Sequence, residues 1–182
     1  FTDQPQVFDG SLSDVLQLPL DVSANRAIFL STLNAITGYL GIVDRVRHCH
    51  DEEPEECAKE IAMALYKRFG RKKIGIIGYQ PAILENLSSV FGPDNVRCTD
   101  LSKLNIQTRK FGVEIWDGMS HTTELIRWSD NVLATSSSLA NGTFDNIYQE
   151  SMASEKNLIV FGITGAGVAA LMDIERICFY GH

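Results

Sequence analysis

The spacing of apolar residues changes period near residue 70, and that change divides the chain. Upstream it is helical. Ile28, Leu33, Ile36 and Leu40 mark one helix, with Ser23 placed to cap it and Gly41 to end it. Ala58, Ile61, Ala62, Leu65, Tyr66 and Phe69 mark a second. Pro54 suits its first turn, Glu55 and Glu56 its positive end, Lys67 and Arg68 its last turn, and Gly70 its stop. Between the two helices, Ile42 to His48 is predicted as a short strand. The residues through Asp21 read as an irregular lead-in with room for another.

Downstream, short apolar runs alternate with amphipathic helices. Lys73 to Gly78 has the composition of a buried parallel strand. Pro81 opens a helix with Leu84, Leu87 and Val90 on one face, stopped at Gly92-Pro93. Further strands are predicted at Val96 to Asp100, Val113 to Trp116, Asn131 to Thr135 and Leu158 to Phe161. Helices are predicted from Ser120 to about Trp128 and from Phe144 to Met152. This alternation implies a doubly wound, mostly parallel, Rossmann-like α/β sheet over residues 71–182. Residues 1–70 are expected to form a small α+β appendage.

Composition narrows the function classes. The 182 residues, 45% apolar and 21% charged, suit a soluble α/β domain of this size. The net charge of −7, from 23 acids against 16 bases, leaves no basic face for a phosphate backbone, so nucleic acid is not an expected partner. Leu158 to Met172 is too short and too interrupted by glycine to span a bilayer. The N-terminal residues show no charged start leading into an apolar core, so no signal peptide is expected in them. The four cysteines, Cys49, Cys57, Cys98 and Cys178, form no CxxC, which favours reduced thiols and a cytoplasmic location.

In such sheets ligands bind beyond the carboxyl ends of the strands. Three loops qualify. Gly78-Tyr79-Gln80-Pro81 follows the first strand but lacks GxGxxG, which disfavours classical NAD binding. Asp100, at the end of the next strand, stands where an acid would hold a ribose, so an adenosyl or nucleotide cofactor stays open. Thr135-Ser136-Ser137-Ser138-Leu139-Ala140-Asn141-Gly142-Thr143 is the richest loop, and its hydroxyls before a helix could hold a carboxylate or phosphate. The third loop, Gly162-Ile163-Thr164-Gly165-Ala166-Gly167, would admit close backbone approach. Asp117 and His121 could transfer a proton or bind metal, or merely cap and start a helix.

Outside the sheet, His48-Cys49-His50-Asp51-Glu52-Glu53 with Cys57 concentrates transition-metal donors, though no standard zinc spacing is present. His48, His50, Cys57 and His121 are the candidate ligands for a transition-metal ion. The acids of this stretch also serve the following helix's N-terminus.

Several segments together resemble one family. They are Ile76-Ile77-Gly78-Tyr79-Gln80-Pro81-Ala82, the Trp116-Asp117 pair, the run from Ser129-Asp130-Asn131 to Asn141-Gly142-Thr143, and Cys178-Phe179-Tyr180-Gly181. They resemble the putative heavy-metal chelation domain family, over about residues 70–182. The resemblance implies a Rossmann-like domain joined to an enolase-N-like piece, with the site in the cleft between them. The helix carrying Asn25-Arg26 and Leu33-Asn34-Ala35 is similar to a remnant of that piece. Because the N-terminal region is short, the resemblance implies a homo-oligomer in which a neighbouring subunit closes the cleft.

The expectation is a cytoplasmic protein binding a small molecule or metal chelate, with catalysis left open. Its ligand would lie over Tyr79, Gln80, Asp100, Asp117, Ser136, Ser137, Ser138, Asn141, Gly142, Thr143, Thr164 and Gly165. Two alternatives stand beside it: an enzyme using S-adenosylmethionine or a nucleotide, and a non-catalytic assembly subunit.

Overall fold

The computed structural model describes residues 7–47 and 49–182. Helices α1 (Leu12–Leu16), α2 (Ser23–Tyr39) and α3 (Glu53–Phe69) lead into β1 (Ile74–Ile77), α4 (Pro81–Phe91) and β2 (Val96–Asp100). A two-residue β3 (Arg109–Lys110) precedes β4 (Val113–Asp117), α5 (Gly118–Trp128) and β5 (Asn131–Thr135). The chain then forms α6 (Ser137–Asn141), α7 (Phe144–Ala153), β6 (Asn157–Phe161), α8 (Ala166–Leu171) and a two-residue β7 (Arg176–Ile177).

The strands alternate the core they feed. Ile76, Leu133, Ile159 and Phe161 point to one face, where Ala58, Ile61 and Leu65 of α3 and Leu84 and Leu87 of α4 cover them. Ile77, Val132, Ala134, Leu158 and Val160 point to the other, under Leu125 and Ile126 of α5 and Ile147 of α7. Burial on both faces is why these strands read as continuous apolar runs.

The seven strands line up β3-β4-β2-β1-β5-β6-β7. All pairs are parallel except β3 with β4. Counting the parallel strands alone, the order is that of the doubly wound dinucleotide fold, with its reversal between β1 and β5. The strand ends that could hold a ligand are therefore those of β1, β5 and β6.

Three N-terminal expectations change. The lead-in holds no strand among the described residues but a short helix, α1, whose Ser11 and Asp14 form a capping box. Val22, not Ser23, takes the cap position of α2, and Ser23 is its first residue. Ile42 to Arg47 is no strand, because its backbone groups are taken elsewhere, and His48 lies outside the described residues. The N–H groups of Ile42 and Val43 return to Thr37 O at the end of α2. Arg176 binds Asp44 O at 2.8 Å and Arg45 O at 3.3 Å. Arg45 itself turns through a φ of 55°.

Candidate functional site

At the sheet's reversal the loops after β1 and β5 lie against each other. Gly78 has a φ of +93°, and a Cβ there would come within 2.4 Å of Thr135 Cγ2, so only glycine allows the approach. The polar groups around it are largely committed to the fold. Gln80 caps α4, its Oε1 accepting from Ile83 N at 2.6 Å. The Asp100 carboxylate accepts from Tyr79 N at 2.7 Å, Ser102 N at 2.7 Å and Asn105 Nδ2 at 3.1 Å. It thus ties the ends of β1 and β2 together. Tyr79 is half-buried against the first core. Asp117 caps α5 by accepting from Met119 N at 2.9 Å.

The serine-rich stretch is folded onto itself in the same way. Ser138 Oγ donates to Thr135 O at 2.6 Å, and Ser137 N donates to Thr135 Oγ1 at 3.3 Å. Ser136 is buried beneath the loop after β6, where its Cβ would lie 3.2 Å from a Cβ placed on Gly165. Asn141 Oδ1 accepts from Thr143 N at 3.0 Å and Thr143 Oγ1 at 2.8 Å. Gly142 ends α6 in a left-handed conformation. The three serines therefore build a five-residue helix and its seat.

Helix α2 lies across the ends of β5 and β6 and grips both loops. Arg26 Nε donates to Ala140 O at 2.9 Å. Asn34 is 8% exposed, and its amide is fully used. Nδ2 donates to Ile163 O at 2.9 Å and Thr164 O at 3.1 Å, while Oδ1 accepts from Gly167 N at 2.8 Å. Gly167 makes that last contact possible, since a Cβ there would meet Thr37 Oγ1 at 2.9 Å.

On the outer side of this clamp lies a cavity of about 910 Å³, within the range of small-molecule sites. One wall is α2, from Ser23 through Asn34 to Tyr39. Another is the segment Val43 to Arg47, and Ala140, Ile163, Thr164 and His182 complete it. Its side-chain charges are those of Arg45, Arg47 and Asp44. Asp44 is paired with Arg45 at 3.6 Å and Arg176 at 3.7 Å, while Arg47 makes no ion pair among the described residues. Of the ligand residues expected from sequence, Thr164 alone lines this cavity.

Among the described residues the expected metal ligands do not come together as a set. His50 stacks on His182 at 5.4 Å, and the His50 backbone N–H donates to Glu53 Oε2 at 2.6 Å. Cys57 has Cys178 and the backbone N–H groups of Phe179 and Tyr180 beside it, and their polar groups hold the Cys57 thiol below its ordinary range. His121 sits on α5, across the sheet from α3, bonded to Ser120 at 2.8 Å and tilted over Trp116. No group of three or more His, Cys, Asp or Glu among the described residues is arranged to hold a metal ion. These donors do not fit a directly coordinated ion, with His48 outside the described residues.

The family model of DUF364, described as "Putative heavy-metal chelation", matches residues 62–174. The chain belongs to this family. A DUF364 protein of unknown function from Pyrococcus horikoshii aligns with a TM-score of 0.61 at 17% identity, over 91% of this chain and 59% of that one. Another, from Desulfitobacterium hafniense, aligns with a TM-score of 0.54 at 15% identity, over 88% of this chain and 62% of that one. At such identity the likeness speaks for the fold alone. This DUF364 chain spans less than two thirds of the length of either structure. No curated protein matches it.

Sequence reasoning about this DUF364 member missed Arg45, Arg47, Tyr39 and His182 as cavity residues. The available signal was Asn34, an amide on the α2 face that buries Ala24, Leu30 and Thr37. A buried amide needs partners, and its partners lead to the strand-end loops.

Proposed function

We propose that this DUF364 chain binds an anionic, metal-chelating small molecule in the cavity between α2, the Val43–Arg47 segment and the loop after β6. The observation that carries the reading is the cavity itself. It borders, through Ala140, Ile163 and Thr164, the segments that follow β5 and β6, on the edge of the sheet where such folds take ligands. Its lining includes Arg45 and Arg47; Asp44 is paired with Arg45 and Arg176, and Arg47 makes no ion pair among the described residues. Arginine forks match carboxylate oxygens in pairs, so polycarboxylate ligands suit this wall.

The family description supports a metal connection. The dispersed His and Cys residues favour a ligand that brings its own metal donors over an ion held by the protein. The loops at Tyr79, Asp100 and Ser136–Ser138 then serve as the scaffold that positions α2. The free cysteines suit a reducing, cytoplasmic setting. No helix of the described residues is long and apolar enough to cross a membrane. Exposed Tyr39, Leu40 and Ile42 beside the cavity support a second copy as the cover, which light scattering would detect as a dimer.

A thermal-shift panel tests the reading. Citrate and EDTA, each free and loaded with Fe³⁺ or Ni²⁺, would be compared with the metal salts alone. Stabilisation by a chelate, lost or weakened roughly tenfold in Arg47→Ala, is the expected result. Stabilisation by bare metal alone, or no response to any chelate, would overturn it.

A further inference from the structure

Helix α3 carries Glu53, Cys57 and Glu60 at spacings that place them along one face. The segment after β7 meets these residues one for one. His182 Nε2 lies 3.0 Å from Glu53 Oε2, and Tyr180 OH donates to Glu60 Oε1 at 2.8 Å. On the same helix face Cys178 lies beside Cys57, and Ile177, Phe179 and Tyr180 pack against the core cluster to which Cys57 belongs. Two more contacts fix the register: Arg45 Nη1 donates to Cys178 O at 2.9 Å, and His182 N donates to Arg47 O at 3.1 Å. Two cysteines far apart in sequence are thus brought side by side where the C-terminal segment docks on α3. The cavity site uses neither of them.

The two thiols differ in character. Cys178 and the N–H groups of Phe179 and Tyr180 beside Cys57 favour its thiolate, against burial and the Glu60 carboxylate. Cys178 is driven the other way by Cys57 and by burial, so it keeps its proton. Two free thiols side by side where the C-terminal segment docks on α3 are placed as an oxidisable cysteine with a resolving thiol. Cys57 is 9% exposed and Cys178 half-buried, an opening suited to a small oxidant rather than a bulky disulfide.

We propose that Cys57 and Cys178 are a hydroperoxide-sensitive pair that closes to a disulfide and fastens the C-terminal segment onto α3. In the first step the Cys57 thiolate attacks one peroxide oxygen. The O–O bond breaks, Cys57 becomes a sulfenic acid, and the departing hydroxide takes a proton to become water. In the second, Cys178 sulfur loses its proton and attacks Cys57 sulfur. The S–S bond forms, and the sulfenic oxygen leaves as a second water. Two thiols are oxidised by two electrons, and one hydrogen peroxide is reduced to two waters. Because the segment carries His182 and holds Arg45 and Arg47 in place, the bond would fix one wall of the cavity. The pair stands independently of what that cavity binds.

The test is mass spectrometry of the folded chain after a few equivalents of hydrogen peroxide, alkylation and non-reducing digestion. The expected product is a peptide pair linked through Cys57 and Cys178, with Cys98 alkylated only after denaturation. Cys49→Ser should leave that link intact. Cys178→Ser should leave a sulfenic acid at Cys57 that dimedone traps. A dominant Cys49–Cys57 link, intact thiols in the peroxide-treated wild type, or an unlabelled Cys57 in folded Cys178→Ser would each overturn the proposal. The wild-type cross-link decides the matter even if the variants fold poorly.

Discussion

Thr99 shows what single residues contribute here. Its hydroxyl is buried within β2 with no hydrogen-bond partner. Thr99→Val keeps the shape and removes the orphaned group, so it is expected to raise stability by about 1 kcal/mol. A lower urea midpoint would show that the hydroxyl has a partner in solution. Asn34 is the opposite case, a buried amide with every group used. Asn34→Ala strands the Gly167 N–H and two carbonyls and should cost roughly 1–3 kcal/mol. Asn34→Asp should be no better, since it retains the acceptor but turns an oxygen toward the carbonyls of Ile163 and Thr164. Recovery of wild-type stability by aspartate would contradict the clamp. These residues also show where sequence reading stops. The hydroxyls of Ser136 to Ser138 are legible as polar groups in a strand-end loop, yet nothing local says that they face their own backbone. Asp100 stands where a ribose-binding acid would stand, but Tyr79, Ser102 and Asn105 already converge on it.

Elements with a long hydrophobic period were readable, and those formed by tertiary contact were not. The five longer strands and the helices α2 to α5 and α7 follow the spacing of their apolar residues. β3 and β7 have two residues each and no period to read, and they exist because a neighbouring strand pairs with them. Ile42 to Arg47 has the composition of a strand, but the end of α2 and Arg176 take its backbone groups first. The close approach of the β1 and β5 loops is likewise invisible until the sheet order is known. Gly78→Ala should destabilise by about 1–3 kcal/mol, from its positive φ and its contact with Thr135 Cγ2. Thr135→Ser removes the methyl and should restore part of that loss. A double-mutant cycle without coupling would mean that the loops sit further apart.

At the scale of the whole molecule, the N-terminal helices are built into the sheet's packing and the cavity wall. α3 covers one face of the sheet, while α2 closes the loops after β5 and β6 and turns its outer side to the cavity. The sequence pointed to the carboxyl edge of the sheet, because that follows from the doubly wound topology. It could not show that Ser138 and Asp100 spend their polar groups inside the fold. Cationic residues on an irregular segment, Arg45 and Arg47, line the cavity, and no periodicity marks them.

The location of ligand binding is therefore the point to test, by amide hydrogen exchange with and without ferric citrate and S-adenosylmethionine. Ferric citrate should slow exchange in α2, in residues 43–47 and around Thr164, and leave the Tyr79 and Asp100 loops unchanged. Protection confined to those two loops by S-adenosylmethionine, with α2 indifferent to the chelate, would contradict the cavity and return the site to the sheet's reversal.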